Sequence, residues 1–271
     1  MLRSLVGSEM CIRDRLSGMA RLNLRLNGPL EPSSLSGTVT VNGAEVVLPG
    51  PGLSVNGIDL TANLGGGQVR LDVNGQLATG GRLETTGTIG LNAPYSADLV
   101  VRMRELLLED RRLYQATTSG RVTVQGPLLT GPTIAGRIDI EQAELRIPET
   151  GLGPGSRGFT LTHLSEPAPV RQTRVRAGLI ETPSSGGGSS YTLPLDLDIR
   201  APSRIFVRGR GLDAELGGRL RITGTSQDIV PVGRFDLIRG RLDILGQRLT
   251  LDTAILRLTG DFVPTIEVEA T

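Results

Sequence analysis

The sequence predicts an all-β protein: an elongated array of antiparallel strands built from repeats of about 98 residues. Three observations predict it. A strand-like pattern recurs three times at nearly constant spacing. Apolar and polar residues alternate with a period of two, which puts one set on each face of a sheet. The 37 glycines and 16 prolines of the 271 residues fall largely at segment boundaries, as a chain with many turns requires.

The first copy of the pattern runs from Gly37 to Pro49, the second from Gly136 to Pro148 and the third from Gly233 to Leu245. Each has a glycine, apolar residues two and four positions on, a small residue at the seventh, and apolar residues at the ninth and eleventh. The apolar positions are Val39, Val41, Val46 and Leu48, then Ile138, Ile140, Leu145 and Ile147, then Phe235, Leu237, Leu242 and Ile244. Their parity changes between the fourth and ninth positions, so a turn, bulge or kink is expected near Ala44, Ala143 and Gly240.

A strand precedes each copy. These are Arg21–Gly28, Arg121–Gly126 with Val122 and Val124, and Arg219–Gly224 with Leu220 and Ile222. Further upstream, Leu99–Arg102 matches Leu197–Arg200, where Leu195, Leu197 and Ile199 alternate with Asp196 and Asp198. The chain ends on another alternating strand carrying Ile266 and Val268. Asn27-Gly28, Asn42-Gly43, Asn56-Gly57 and Asn74-Gly75 have the composition of tight turns.

Arg102–Tyr114 is rich in helix formers and has the makings of a short amphipathic helix. Its repeat partner, Arg200–Leu212, contains Pro202, Gly209 and Gly211 and cannot be one, so strand is expected for both. Loops are expected at Gly151–Gly158 and Ser184–Ser190, as insertions in a continuous sheet. About twenty strands would give a sheet on the order of 100 Å long.

Residues 1–15 resemble a leader that recurs before unrelated metagenomic proteins, from translated adapter read-through, and do not enter the fold. Residues 16–271 read as one continuous segment with modules at about 20–118, 119–217 and 218–271. Both ends look cut, which predicts a fragment.

Net charge is +1, so nothing draws the chain toward nucleic acid. All 29 basic residues are arginine, which codon bias explains, with clustering for lipid headgroups as the alternative. No apolar run approaches the ~18 residues of a membrane-spanning helix. Cys11 is the single cysteine, so no intrachain disulfide forms.

The chemical motifs are weak. Gly153-Pro-Gly155-Ser-Arg-Gly158 has the spacing of a dinucleotide loop, but Phe159–Leu164 after it is strand-like rather than helical. His163 is the only histidine and has Glu166 alone beside it. Asp196/Asp198 and Asp213/Glu215 alternate with apolar residues as the solvated face of a strand does. Gly65–Asp72 approximates a calcium-binding β-roll repeat, but only once and with Asp72 too late. No catalytic constellation, cofactor site or metal site is expected. The apolar face is the candidate functional surface. From the residues alone, it is either the filled core of a sandwich or solenoid, or an open groove for acyl chains.

Two segments resemble the conserved C-terminal region of the TamB family: Ala201–Thr225, and Gly233–Gly246 continuing through Leu249–Leu251 to Gly260–Ala270. The resemblance covers about Leu195–Thr271, with weaker upstream repeats over about Leu24–Ile147. It implies a β-taco, a long curved sheet with an apolar interior groove. It further implies a non-enzymatic, largely periplasmic envelope protein of Gram-negative bacteria, anchored in the inner membrane by a helix this segment lacks. The implied partners are phospholipid acyl chains and TamA, an outer-membrane barrel. The implied roles are phospholipid transport between the membranes and help in outer-membrane protein assembly and secretion. The alternative is a structural or adhesive β-repeat protein with a filled core.

Overall fold

The computed structural model describes residues 17–48, 53–110, 113–148, 192–244 and 246–271. Among the described residues, 17–147 and 192–271 belong to one compact unit. Cys11, Gly153–Gly158, His163 and Ser184–Ser190 lie outside the described residues.

The unit is a single sheet of thirteen strands: β1 (Ser17–Leu26), β2 (Leu35–Leu48), β3 (Leu53–Gly65), β4 (Gln68–Leu77), β5 (Arg82–Gly90), β6 (Ser96–Asp110), β7 (Tyr114–Pro127), β8 (Thr133–Arg146), β9 (Leu195–Gly209), β10 (Leu212–Gly224), β11 (Ile229–Ile244), β12 (Gln247–Thr259) and β13 (Thr265–Ala270). They lie side by side in chain order, and β13 does not return to β1, so the sheet is not a closed barrel. Twelve intervals of ~4.8 Å make it roughly 58 Å along the stacking direction. That length is of the described strands alone, which are long (β11 has 16 residues) and consume much chain each.

Every neighbouring pair is antiparallel except β8 and β9, which run parallel, with Ile134 opposite Leu195 and Ile138 opposite Ile199. The exception has a topological cause. In the first module three strands stand between β2 and β6, so those two point the same way. β8 and β9 take the places of β2 and β6, but no described strand separates them. Same-direction strands that become neighbours must pair parallel.

Arg102–Tyr114 forms the second half of β6, a turn at Leu113 and the start of β7. Local helix propensity is overridden by pairing on both sides, as in its partner Arg200–Leu212. There the hairpin turns on Arg210 and Gly211, both left-handed (φ 53° and 83°). This is the two-residue turn that matches strand twist.

The strands do not pair uninterrupted from end to end. Register slips at Val41/Ala44 in β2, Asn56/Asp59 in β3, Met103/Leu106 in β6, Asp139/Ala143 in β8 and Glu215/Leu216 in β10. These sites include the parity change near Ala44 and Ala143. Side by side they form a crease across the sheet, since each bulge bends its strand and increases the local twist.

The Asn-Gly pairs belong to this crease rather than to hairpins. Asn42-Gly43 and Asn56-Gly57 are inside β2 and β3, with Gly43 and Gly57 left-handed (φ 62° and 58°), and Asn74-Gly75 is inside β4. Only Asn27-Gly28 lies in a connection. The same tolerance of positive φ serves a bulge as well as a turn, which is why composition alone misplaced them.

Most of the tightly buried side chains collect along the crease. Among the described residues they include Ala44, Val55, Leu106, Ala143, Ala201, Ile205 and Ala214. Small residues dominate because the fold brings backbones close. The glycine that opens each copy of the pattern has a related cause. A Cβ on Gly37, Gly136 or Gly233 would collide with the backbone carbonyl of Asn23, Arg121 or Arg219 on the preceding strand. Backbone cannot swing aside as a side chain can. Gly37→Ala should therefore cost about 2–3 kcal/mol. Gly43→Ala, with open space but a left-handed φ, should cost only about 1 kcal/mol. Urea-unfolding midpoints of the two variants check the order.

Candidate functional site: one apolar face

In a β-ladder, residues opposite one another point to the same face, so the pairing assigns each apolar residue a side. Val39 and Val41 stand opposite Ala62 and Leu60, Val46 opposite Val55, and Leu48 opposite Leu53. Val122 and Val124 stand opposite Val101 and Leu99 on one side and Gly136 and Ile134 on the other. Ile140 faces Thr118, and Leu145 faces Tyr114 and Val207.

The row continues through the parallel junction, where Ile138, Ile199, Leu220 and Gly233 follow one another across β8–β11. Leu195 joins Ile134, and Leu197 joins Ile222. Phe235 lies between Gly218 and Leu256, Leu237 opposite Leu216, Leu242 between Leu212 and Leu249, and Ile244 opposite Gln247. Ile266 and Val268 pair with Leu256 and Ala254. Those of them whose side chains are described fall on one face. Ile147 follows β8, where its N–H donates to the Arg208 carbonyl at 2.7 Å.

The same face takes in residues that the three-copy pattern did not contain: Val69, Leu71 and Val73 of β4, Leu83 of β5, and Met103, Leu106 and Leu108 of β6. Their alternation was visible in sequence. What was missing was a counterpart in the other modules to connect them to the pattern.

The apolar face is concave at the crease. Val55, Leu77 and Leu106 come from β3, β4 and β6, which are not all neighbours, yet they form one cluster with Leu53, Leu83 and Met103. Ala143, Ala201 and Ile205 form a second, with Leu216 and Phe235 packed on it. Such contacts require the sheet to curl toward its apolar side. Away from the clusters most of the face is only half-buried: Leu99, Val122, Val124, Ile138, Ile199, Leu220 and Ile222 all keep some exposure. No second sheet lies against it among the described residues.

The opposite face is polar and carries the ion pairs. Asp196 accepts both arms of Arg221 (3.0 and 3.2 Å), Asp198 pairs with Arg200 at 2.8 Å, and Asp213 pairs with Arg208 and Arg241. The hydrogen bond and charge of Asp196 raise the Arg221 pKa above its ordinary value, and the hydrogen bond to Asp236 does the same for Arg234. Both groups are exposed, so these pairs add little to stability.

Glu215 departs from the solvated role expected of it: only 8% of the residue is accessible. It accepts the backbone N–H of Arg204 at 3.2 Å and the Arg239 side chain at 2.7 Å. Arg204 is a bulge residue with φ 65°, so its N–H has left the ladder and needs another acceptor. The arrangement recurs along the crease. The N–H of Glu105 (φ 50°) donates to Ser119, which is braced by Glu141, and the N–H of Gly43 donates to Asp59. In each case the next strand supplies the acceptor.

No group of three or more His, Cys, Asp or Glu among the described residues could hold a metal. No helix among them is long and apolar enough to cross a membrane.

A long open sheet, creased along its length, with a concave apolar face and a charged outer one, defines a β-taco type of groove protein. The comparison with known families agrees: the TamB C-terminal domain matches residues 70–271. The chain belongs to the TamB family of envelope proteins, a family not known for enzymatic activity. No curated protein and no solved structure matches it.

Proposed function

We propose that this segment is a non-catalytic, periplasmic part of its envelope protein whose apolar face carries phospholipid acyl chains between the inner and outer membranes. In this reading it works with a TamA-like outer-membrane barrel that other parts of the full protein would engage. The single observation that supports it most is the continuity of the apolar face across all thirteen strands without a covering layer among the described residues. A filled-core structural protein would bury these side chains against a second sheet. Here they stay half-exposed, and a contiguous apolar surface of this extent calls for an apolar occupant. Each methylene that leaves water for such a surface gains ~0.8 kcal/mol, so acyl chains are held by length rather than by any one residue. The scarcity of polar side chains among the described residues of the face lets them slide.

Photo-crosslinking amino acids at Ile138, Leu220 and Leu237 should capture phospholipid in cells, while probes at Thr38 and Arg121 on the polar face should not. Equal capture from both faces, or none from the apolar one, would remove the basis of the proposal.

A further inference from the structure

The polar face carries an arginine row. Arg102, Arg121 and Arg137 stand directly opposite one another across β6, β7 and β8. Arg200, Arg219, Arg234 and Arg257 do the same across β9, β10, β11 and β12. The two sets meet at the parallel junction, where the row steps by one level: Arg137 lies opposite Asp198 and Arg200 opposite Asp139. Seven successive strands thus each place an arginine on one line, about 29 Å long over six strand intervals.

Like charges directly opposite in a sheet destabilise it, and alternation with acids, as elsewhere on this face, would avoid the cost. The row is also incompletely neutralised. Arg137, Arg200, Arg234 and Arg257 have carboxylate partners. Arg102, Arg121 and Arg219 make no ion pair or side-chain hydrogen bond among the described residues. Two adjoining troughs of about 720 and 700 Å³ flank Arg219, and both reach Arg234.

We propose that this row binds a linear polyanion of the acidic-polysaccharide class, lying along the sheet axis on the face opposite the apolar one. The guanidinium fork suits carboxylate and phosphate oxygens. The shape of the charge selects the kind of ligand. Asp139, Asp198 and Asp236 stand beside the row, so a flat anionic membrane would meet acids along with arginines, whereas a chain one residue wide can follow the arginines alone. The spacing selects further. A polyuronate carries one carboxylate on every ring of a stiff chain, a charge density of about one per strand interval. A single-stranded nucleic acid would want aromatic platforms for its bases, and the row has none.

The test uses the whole chain and a short fluorescently labelled polyuronate, read by anisotropy at low ionic strength. Saturable binding that weakens steeply with salt is expected. The triple variant Arg102→Gln, Arg121→Gln, Arg219→Gln should bind about tenfold more weakly or worse. Its unfolding midpoint should not fall, because these side chains have no partners to lose. A control with the same change in charge, Arg21→Gln, Arg25→Gln, Arg70→Gln, should bind as the parent does. The inference is overturned by absence of binding, by equal weakening in the control, or by polyglutamate or anionic phospholipid vesicles binding as tightly as the polyuronate. It is independent of lipid transport, since removing these arginines should leave lipid crosslinking at Leu220 unchanged.

Discussion

Leu220→Arg should reduce phospholipid capture at neighbouring crosslinking sites by at least about a hundredfold while leaving the protein folded. Leu220 lies in the middle of the apolar face, between Ile199 and Gly233 on the adjacent strands. Neither of those neighbours could pair with a guanidinium. An acyl chain passing it would have to desolvate the charge, at a cost of several kcal/mol, against ~0.8 kcal/mol gained per methylene. The fold survives because Leu220 is only half-buried and a long arginine stem can turn its head toward water. Leu220→Met, which conserves volume and polarity, should carry lipid as the parent does. If the arginine variant captures lipid at the parent level, the apolar face is not the route.

The second large effect concerns the crease. Glu215→Ala should destabilise the sheet by about 1–3 kcal/mol, the cost of leaving the part-buried Arg204 N–H without its acceptor. Arg239→Ala should cost less than about 1 kcal/mol, although it removes the other half of the same ion pair. The asymmetry follows from exposure: the Arg239 side chain is 76% accessible and the Glu215 side chain 10%. Water replaces the lost partner of the arginine but cannot reach the bulge amide as easily. Urea midpoints rank the two variants, and amide exchange at Arg204 should accelerate in Glu215→Ala alone. Equal losses would mean that the ion pair, rather than the amide cap, holds this bulge. Because the same cap recurs at Glu105 and Gly43, the result bears on how the whole crease is kept.

The strands were legible because period-two alternation is a local property. Val39/Val41, Ile138/Ile140 and Leu220/Ile222 show it within a few residues, and the recurrence of the pattern showed that they belong to one array. The bulge near Ala44 and Ala143 was legible for the same reason, as a break in parity. The Asn-Gly pairs were not, since a left-handed glycine serves a hairpin and a bulge equally. Glu215 looked like one more solvated carboxylate, because its burial depends on Arg204 of β9 and Arg239 of β11, which reach it from either side.

By itself the sequence determined the fold class, the alternation that marks an apolar face, and the family resemblance. The first two rest on spacing along the chain, the last on the residues of Ala201–Thr225 and Gly233–Ala270. Only the tertiary structure decided how the strands stand beside one another. That ordering produced the parallel junction of β8 and β9, the alignment of separate bulges into a crease, and the line of arginines from Arg102 to Arg257. Each depends on register between strands as much as about sixty residues apart, and register is set by pairing in space, which no local pattern encodes.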